Sequence, residues 1–128
     1  MNFKENKPIY LQVADVIADD IVSGKYPENG RISSVRDFAV ALEVNANTVV
    51  HSYDYLQSNE IVYNRRGLGY FVTVGARNRI LEIRRKAFLD EDIRIFFRSI
   101  DTLGISLNDI ETFYNKYQSE NNHHENNK

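Results

Sequence analysis

At 128 residues with 42% hydrophobic side chains, the chain is long and apolar enough for one ordinary domain or a small domain with an appendage, which argues against wholesale disorder. The absence of cysteine excludes disulfides and thiolate metal sites, and no stretch has the apolar length of a signal peptide or a bilayer span, so a soluble cytoplasmic protein is expected, with no membrane partner. The formal net charge is −2, and residues 1–75 alone carry seven Lys/Arg against nine Asp/Glu. That balance disfavours tight non-specific binding to nucleic acid, although affinity for phosphate follows local charge placement.

Taken in chain order, Pro8 suits the first turn of a helix, where a missing N–H costs nothing. Ile9, Val13, Ile17 and Ile21 follow at four-residue spacing as a buried stripe, and Gly24 ends the helix as a left-handed cap would. Residues 25–30 carry turn chemistry, with Pro27 and Gly30 at its ends. Ser34 and Asp37 form a capping-box variant before a helix of about two turns whose apolar face is Val35, Phe38, Ala39 and Leu42. Asn45 caps the next helix, with Val49, Tyr53 and Leu56 inward and Val44 stapling the pair. So short a connection is a tight corner, as a helix-turn-helix requires.

Residues 61–63 and 70–74 are β-branched and aromatic, hence strands, and Arg65-Arg66-Gly67-Leu68-Gly69 joins them as a hairpin. A second helical block over about residues 76–99 has a broad apolar face that includes Ile80, Ile83, Ala87, Phe88, Ile95, Phe96 and Ile100. Gly104 can cap its end, and Ser106 with Asp109 opens a last helix carrying Leu107, Ile110, Phe113, Tyr114 and Tyr117. The tail, residues 119–128, lacks apolar side chains and reads as disordered.

The pattern is mainly α with a small β-hairpin wing: a winged helix-turn-helix domain over 1–75, then a two-helix C-terminal appendage over 76–118. Such a unit presents the helix after Asn45 to a DNA groove. Asn47 and Thr48 at its start can bond bases or phosphates, and Val50 and His51 continue the exposed turn. Arg36 stands in a first turn, where the helix dipole disfavours a cation; an external anion or a guanine edge explains it, with Asp37 or Glu28 as local alternatives. Arg65, Arg66 and Gly67 at the hairpin tip suit a wing that tracks phosphates or enters a minor groove, or a solvated turn. Enzymatic and metal readings do poorly. Gly67-Leu68-Gly69 lacks the third glycine of a dinucleotide fingerprint, His51 has no activated nucleophile beside it, and Asp90, Glu91 and Asp92 point in different directions along a helix.

Many of these residues together resemble the winged-helix domain of GntR-type transcriptional regulators: Pro8-Ile9-Tyr10 with Gln12, Gly24, Gly30-Arg31, Ser34-Val35-Arg36, Val44-Asn45 with Asn47-Thr48-Val49, Tyr53 with Leu56, and Arg66-Gly67 with Gly69 and Phe71-Val72. The C-terminal block is similar to the short helical appendage of the YtrA subfamily. The resemblance implies a repressor that binds double-stranded DNA at a palindromic operator as a homodimer, without cofactor or catalysis, and often controls genes for ABC-type transporters. It implies no particular small-molecule effector. It carries DNA contact to Arg36, Asn45, Asn47, Thr48 and the Arg66-Gly67 wing tip, and a dimer interface to the C-terminal helices, here Ile80, Phe88, Ile95, Phe96, Ile100, Phe113 and Tyr117. Ser33 and Ala46 stand where the family usually has proline, and Val50 and His51 where it commonly has arginine. Histidine changes charge near neutral pH, so a phosphate contact by His51 would be pH-sensitive. The rival expectation is a winged helix reused to dock proteins, favoured by the negative charge.

Overall fold

A computed structural model describes residues 7–126. Two compact units divide the chain, Met1–Arg84 and Arg85–Lys128. The first holds α1 (Ile9–Val22), α2 (Val35–Leu42), α3 (Ala46–Ser58), a hairpin of β1 (Val62–Arg65) and β2 (Gly69–Val72), and most of α4 (Ala76–Ala87). The architecture is a helical winged helix-turn-helix with a β-hairpin wing, followed by further helices.

Local chemistry sets the helix ends. Pro8 precedes α1, and Gly24 beyond it takes φ +90°, a conformation that glycine adopts without strain. The Ser34 hydroxyl accepts the Asp37 N–H at 3.1 Å, and the Asn45 carbonyl oxygen accepts the Asn47 N–H at 2.8 Å, so both helices of the corner start on a side-chain cap. Between them the corner turns at Glu43, which adopts a left-handed φ of 55°.

Val13, Ile17 and Ile21 of α1 form the core with Phe38 of α2, Val49, Tyr53 and Leu56 of α3, and Val62 and Val72 of the wing. Ile9 does not join that stripe: it is 56% exposed at the helix's first turn. The wing pairs antiparallel in the register Val62↔Val72 to Arg65↔Gly69, with the strands displaced slightly from 61–63 and 70–74. An addition the sequence pattern does not announce is a third extended segment. Asn29 donates to Val72, Val72 to Gly30, and Ile32 to Tyr70, so the chain entering α2 zips onto β2 before the helix begins.

The winged-helix core runs past residue 75. Ala76 and Ile80, one turn apart on α4, are both buried in it; Ile80, expected at a dimer interface, is only 2% exposed. The reason is docking: Arg79 pairs with Glu60 at 2.9 Å, Arg84 with Asp19 at 2.8 Å, and Arg77 donates to the Val22 carbonyl. These contacts turn the first two turns of α4 inward.

The second unit holds a π-helical turn (Phe88–Asp92), α5 (Ile93–Leu103) and α6 (Leu107–Asn126). Where the pattern points to one helix over 76–99, the structure breaks it with the π turn and runs on to Leu103. A wider turn adds a residue to the local repeat, which accounts for the imperfect apolar spacing across Ala87 and Phe88. Gly104 takes φ 68°, and Ser106 and Asp109 cap α6 reciprocally at 3.0 and 3.2 Å. Residues 119–126, read as disordered, continue α6. Without Gly or Pro to stop it, the backbone ladder propagates once nucleated, even where no apolar face remains to pack. The last two residues of that tail lie outside the described residues. Of the seven residues expected at a dimer interface, Ile100 is buried as well as Ile80, with the Ile105 N–H bonded to its carbonyl where the chain turns. Phe88, Ile95, Phe96, Phe113 and Tyr117 are exposed. Among the described residues no helix is long and apolar enough to cross a membrane.

Candidate nucleic-acid interface

The position of α3 is fixed from three sides. Ser52 is fully buried, and its hydroxyl lies 2.7 Å from the Tyr10 carbonyl of α1 and 2.9 Å from the Thr48 carbonyl. The Tyr53 ring meets Phe38 of α2 and Tyr70 of β2 edge-on, with centroids at 6.4 and 4.9 Å. Its hydroxyl donates to the Ser33 carbonyl at 2.6 Å, and burial pushes its pKa well up, so it remains a neutral donor throughout the physiological range. Ser33 is pinned a second time, its hydroxyl 3.1 Å from that of Tyr26. Two tyrosines thus hold the residue that precedes the α2 cap, at the position where the sequence lacks proline. The Ser34 cap and the first turn of α2, with Arg36, inherit that placement.

On α3 the buried residues are Val49, Ser52, Tyr53 and Leu56. At 100° per residue the opposite side is Asn47, His51, Asp54 and Ser58, with Val50 at its edge. Asn45 and Asn47 are exposed and Thr48 is half-buried. The Asn45 side chain is engaged as the cap, and the His51 ring lies parallel to Tyr10 with centroids 3.7 Å apart, which orients the imidazole toward the α1 side of the outward face.

The wing turn closes with the Leu68 N–H on the Arg65 carbonyl at 2.8 Å, and Gly67 supplies the required positive φ of 78°. Arg65 folds back over the Phe71 ring, 5.6 Å from its centroid, while Arg66 and Gly67 stand exposed.

Charge placement resolves the puzzle of the net charge. In the winged-helix unit Lys7 pairs with Asp15, Lys25 with Asp20, Arg79 with Glu60 and Arg84 with Asp19. Arg31, Arg36, Arg65 and Arg66 have no acidic partner among the described residues. Glu28, one local alternative for Arg36, instead accepts the Gly75 N–H at 2.9 Å. The paired cations lie just before α1, on α4 and in the turn after α1, and Arg77 of α4 is held by the Val22 carbonyl; the four with neither kind of partner lie on the strand entering α2, its first turn and the wing.

Arg31 is the one of these four that the sequence reading passes over. Its guanidinium lies against Gly69, where a Cβ would meet Nε at 3.0 Å, so glycine is what lets it pack on the base of the wing. The signal lay in Gly30-Arg31, but its position beside β2 depends on the third extended segment, which is a long-range pairing. The structure brings Arg31, Arg65 and Arg66 to the wing. A hollow of about 40 Å³ lined by Ala14, Leu56, Ile61 and Ile80 admits water but not an effector, since ligand sites run to roughly 300 Å³ or more.

Residues 9–72 match the model of the family described as bacterial regulatory proteins, gntR family. The chain is 32% identical to the HTH-type transcriptional regulator YhcF of Bacillus subtilis (strain 168) over 115 residues, which are 87% of this chain and 93% of that protein. With the HTH-type transcriptional repressor YtrA of the same organism it shares 27% over 79 residues, 62% of this chain and 61% of YtrA. Among solved structures, a GntR-family transcriptional regulator from Bacteroides thetaiotaomicron is 51% identical, with a TM-score of 0.78, and the match covers 89% of this chain and 99% of that one. A GntR-family regulator from Listeria monocytogenes is 32% identical with a TM-score of 0.68, over 89% and 98% of the two chains.

Proposed function

This chain belongs to the GntR family of bacterial regulatory proteins, as a short YhcF/YtrA-like DNA-binding transcriptional regulator and not an enzyme, and from that premise we propose that it is a homodimeric repressor working in the cytoplasm on a palindromic operator. The observation that carries the DNA face is the sorting of charge: among the described residues Arg31, Arg36, Arg65 and Arg66 have no acidic partner, while the other cations of the same unit that bear on its packing are paired or bonded. Each subunit sets the start of α3 in a major groove, with Asn47 and Thr48 at the bases and Arg36 alongside. Arg65, Arg66 and Gly67 meet the flanking backbone or minor groove, with Arg31 at the wing's base. Asn45 serves as the cap that orients this turn, and His51 meets a phosphate from its stack on Tyr10.

Repression is supported by the similarity to YtrA, an HTH-type transcriptional repressor, and control of a transporter operon follows the subfamily resemblance. The dimer rests on the exposed apolar residues of the second unit, which would hold two winged helices about one helical turn of DNA apart.

The test is anisotropy titration against DNA selected from a random pool, at several salt concentrations. Arg36→Ala loses about 1–3 kcal/mol and relaxes specificity at one base pair. Arg66→Ala weakens binding evenly across sequences and lowers the salt slope by about one. Affinity without salt dependence would instead identify a protein-docking module.

A further inference from the structure

Resting on that DNA-binding reading, we propose that Val50 is a specificity-determining residue that reads the C5-methyl group of a thymine in each half-site. Helix α3 has no lysine or arginine in its thirteen residues, ANTVVHSYDYLQS. Its outward side therefore attracts no phosphate through a fixed positive charge, and Asp54 on that side repels one. What that side offers is a short stripe: the Asn47 amide, the Val50 methyls three residues on, and the Asp54 carboxylate a turn later. His51, also on that side, has its ring stacked on Tyr10.

Val50 is 41% exposed and belongs neither to the core nor to the half-buried residues packed around it, so packing does not explain it. Helix formation does not explain it either, because β-branched side chains lose rotamer freedom in a helix. In a major groove, however, the thymine methyl is the apolar group presented at the base edges, and apolar side chains are its complement. Arg31, Arg65 and Arg66 at the wing supply attraction to the backbone, which leaves Val50 free to discriminate.

The experiment uses the full chain and a selected duplex in which each thymine of the half-site is replaced in turn, symmetrically, by deoxyuridine, which lacks only the methyl. At one position the wild type loses about fourfold in affinity per half-site, the worth of one methyl-sized group removed from water. Val50→Ala, whose fold is checked by circular dichroism, binds the thymine duplex more weakly with an unchanged salt slope and no longer distinguishes the two bases there. Specific binding by the wild type that is indifferent to every such replacement overturns the role of Val50 and leaves the regulator reading intact. So does a Val50→Ala variant that keeps the full discrimination. Absence of any preferred sequence for the wild type overturns the parent reading, and this inference with it.

Discussion

The two units manage their apolar side chains in opposite ways. In the winged-helix unit Ile17, Val49, Tyr53 and Leu56 are fully buried, and its cations outside the wing and the entry to α2 are largely held by acids or backbone carbonyls. In the second unit Ile100 is buried while Phe88, Leu89, Phe96, Phe97, Leu103 and Phe113 lie in the open. Exposed apolar surface on that scale is a mark of an interaction site in a folded protein. The first unit buries its large apolar side chains, and the second leaves most of its own exposed.

The sharpest way to break this contrast is to charge the exposed face. If the proposed dimer forms through that face, the wild type should sediment as a dimer and Phe96→Glu as a monomer. Its affinity for a full palindrome should fall by about 10²–10⁴-fold, the loss of linking two sites, while affinity for one half-site is unchanged. A dimer that survives Phe96→Glu combined with Phe113→Glu would move the interface elsewhere. In that monomeric background the next effect separates the two kinds of residue. Leu56→Ala should remove about 2–5 kcal/mol in urea unfolding, through lost transfer energy and a cavity. Phe113→Ala, already solvated, should stay within about 0.5 kcal/mol. Equal losses would mean that Phe113 is packed within its own chain.

A smaller effect probes what couples the core to the proposed DNA face. Tyr53→Phe keeps the ring among Phe38 and Tyr70 but leaves the Ser33 carbonyl without its 2.6 Å donor. About 1–3 kcal/mol of stability should go, as expected for an unsatisfied partly buried acceptor. Specific affinity should drop further, because the α2 first turn carrying Arg36 loses its anchor. An unchanged affinity at equal stability would show that Arg36 is placed by its own helix alone.

What was legible in the sequence was what is local. Ser34, Asn45, Gly104 and the Ser106–Asp109 pair act within a turn of themselves, and each sits where its chemistry predicts. The corner and the hairpin followed from spacing for the same reason. Long-range partners were not legible. Ile80 has the apolar periodicity of an interface residue, and nothing in that periodicity says it packs on its own chain; the Arg79, Arg84 and Arg77 contacts that decide it lie 19 to 65 residues away in sequence. Arg31 was missed in the same way, since only its pairing beside β2 brings it to the wing. The π turn and the continuation of α6 through Asn126 reflect backbone continuity, which composition does not encode.

The smallest effect is expected at Ser33, where the family usually has proline. Ile32 before it is already extended, its N–H on the Tyr70 carbonyl, as a residue preceding proline must be. Among the backbone hydrogen bonds of turns and loops, the Ser33 N–H donates none that proline would remove, and the Ser33 carbonyl would still accept from Tyr53. Ser33→Pro loses only the contact between the Tyr26 and Ser33 hydroxyls, while the restricted unfolded chain contributes about 0.4–1 kcal/mol in compensation. Net stability should therefore stay within about 1 kcal/mol of the wild type, and operator affinity should hold. In a Tyr26→Phe background, which has already lost the hydroxyl contact, the same substitution should be stabilising. Destabilisation there would mean that the two tyrosines hold Ser33 in a conformation proline cannot adopt, and that this chain sets the α2 entry by a geometry of its own.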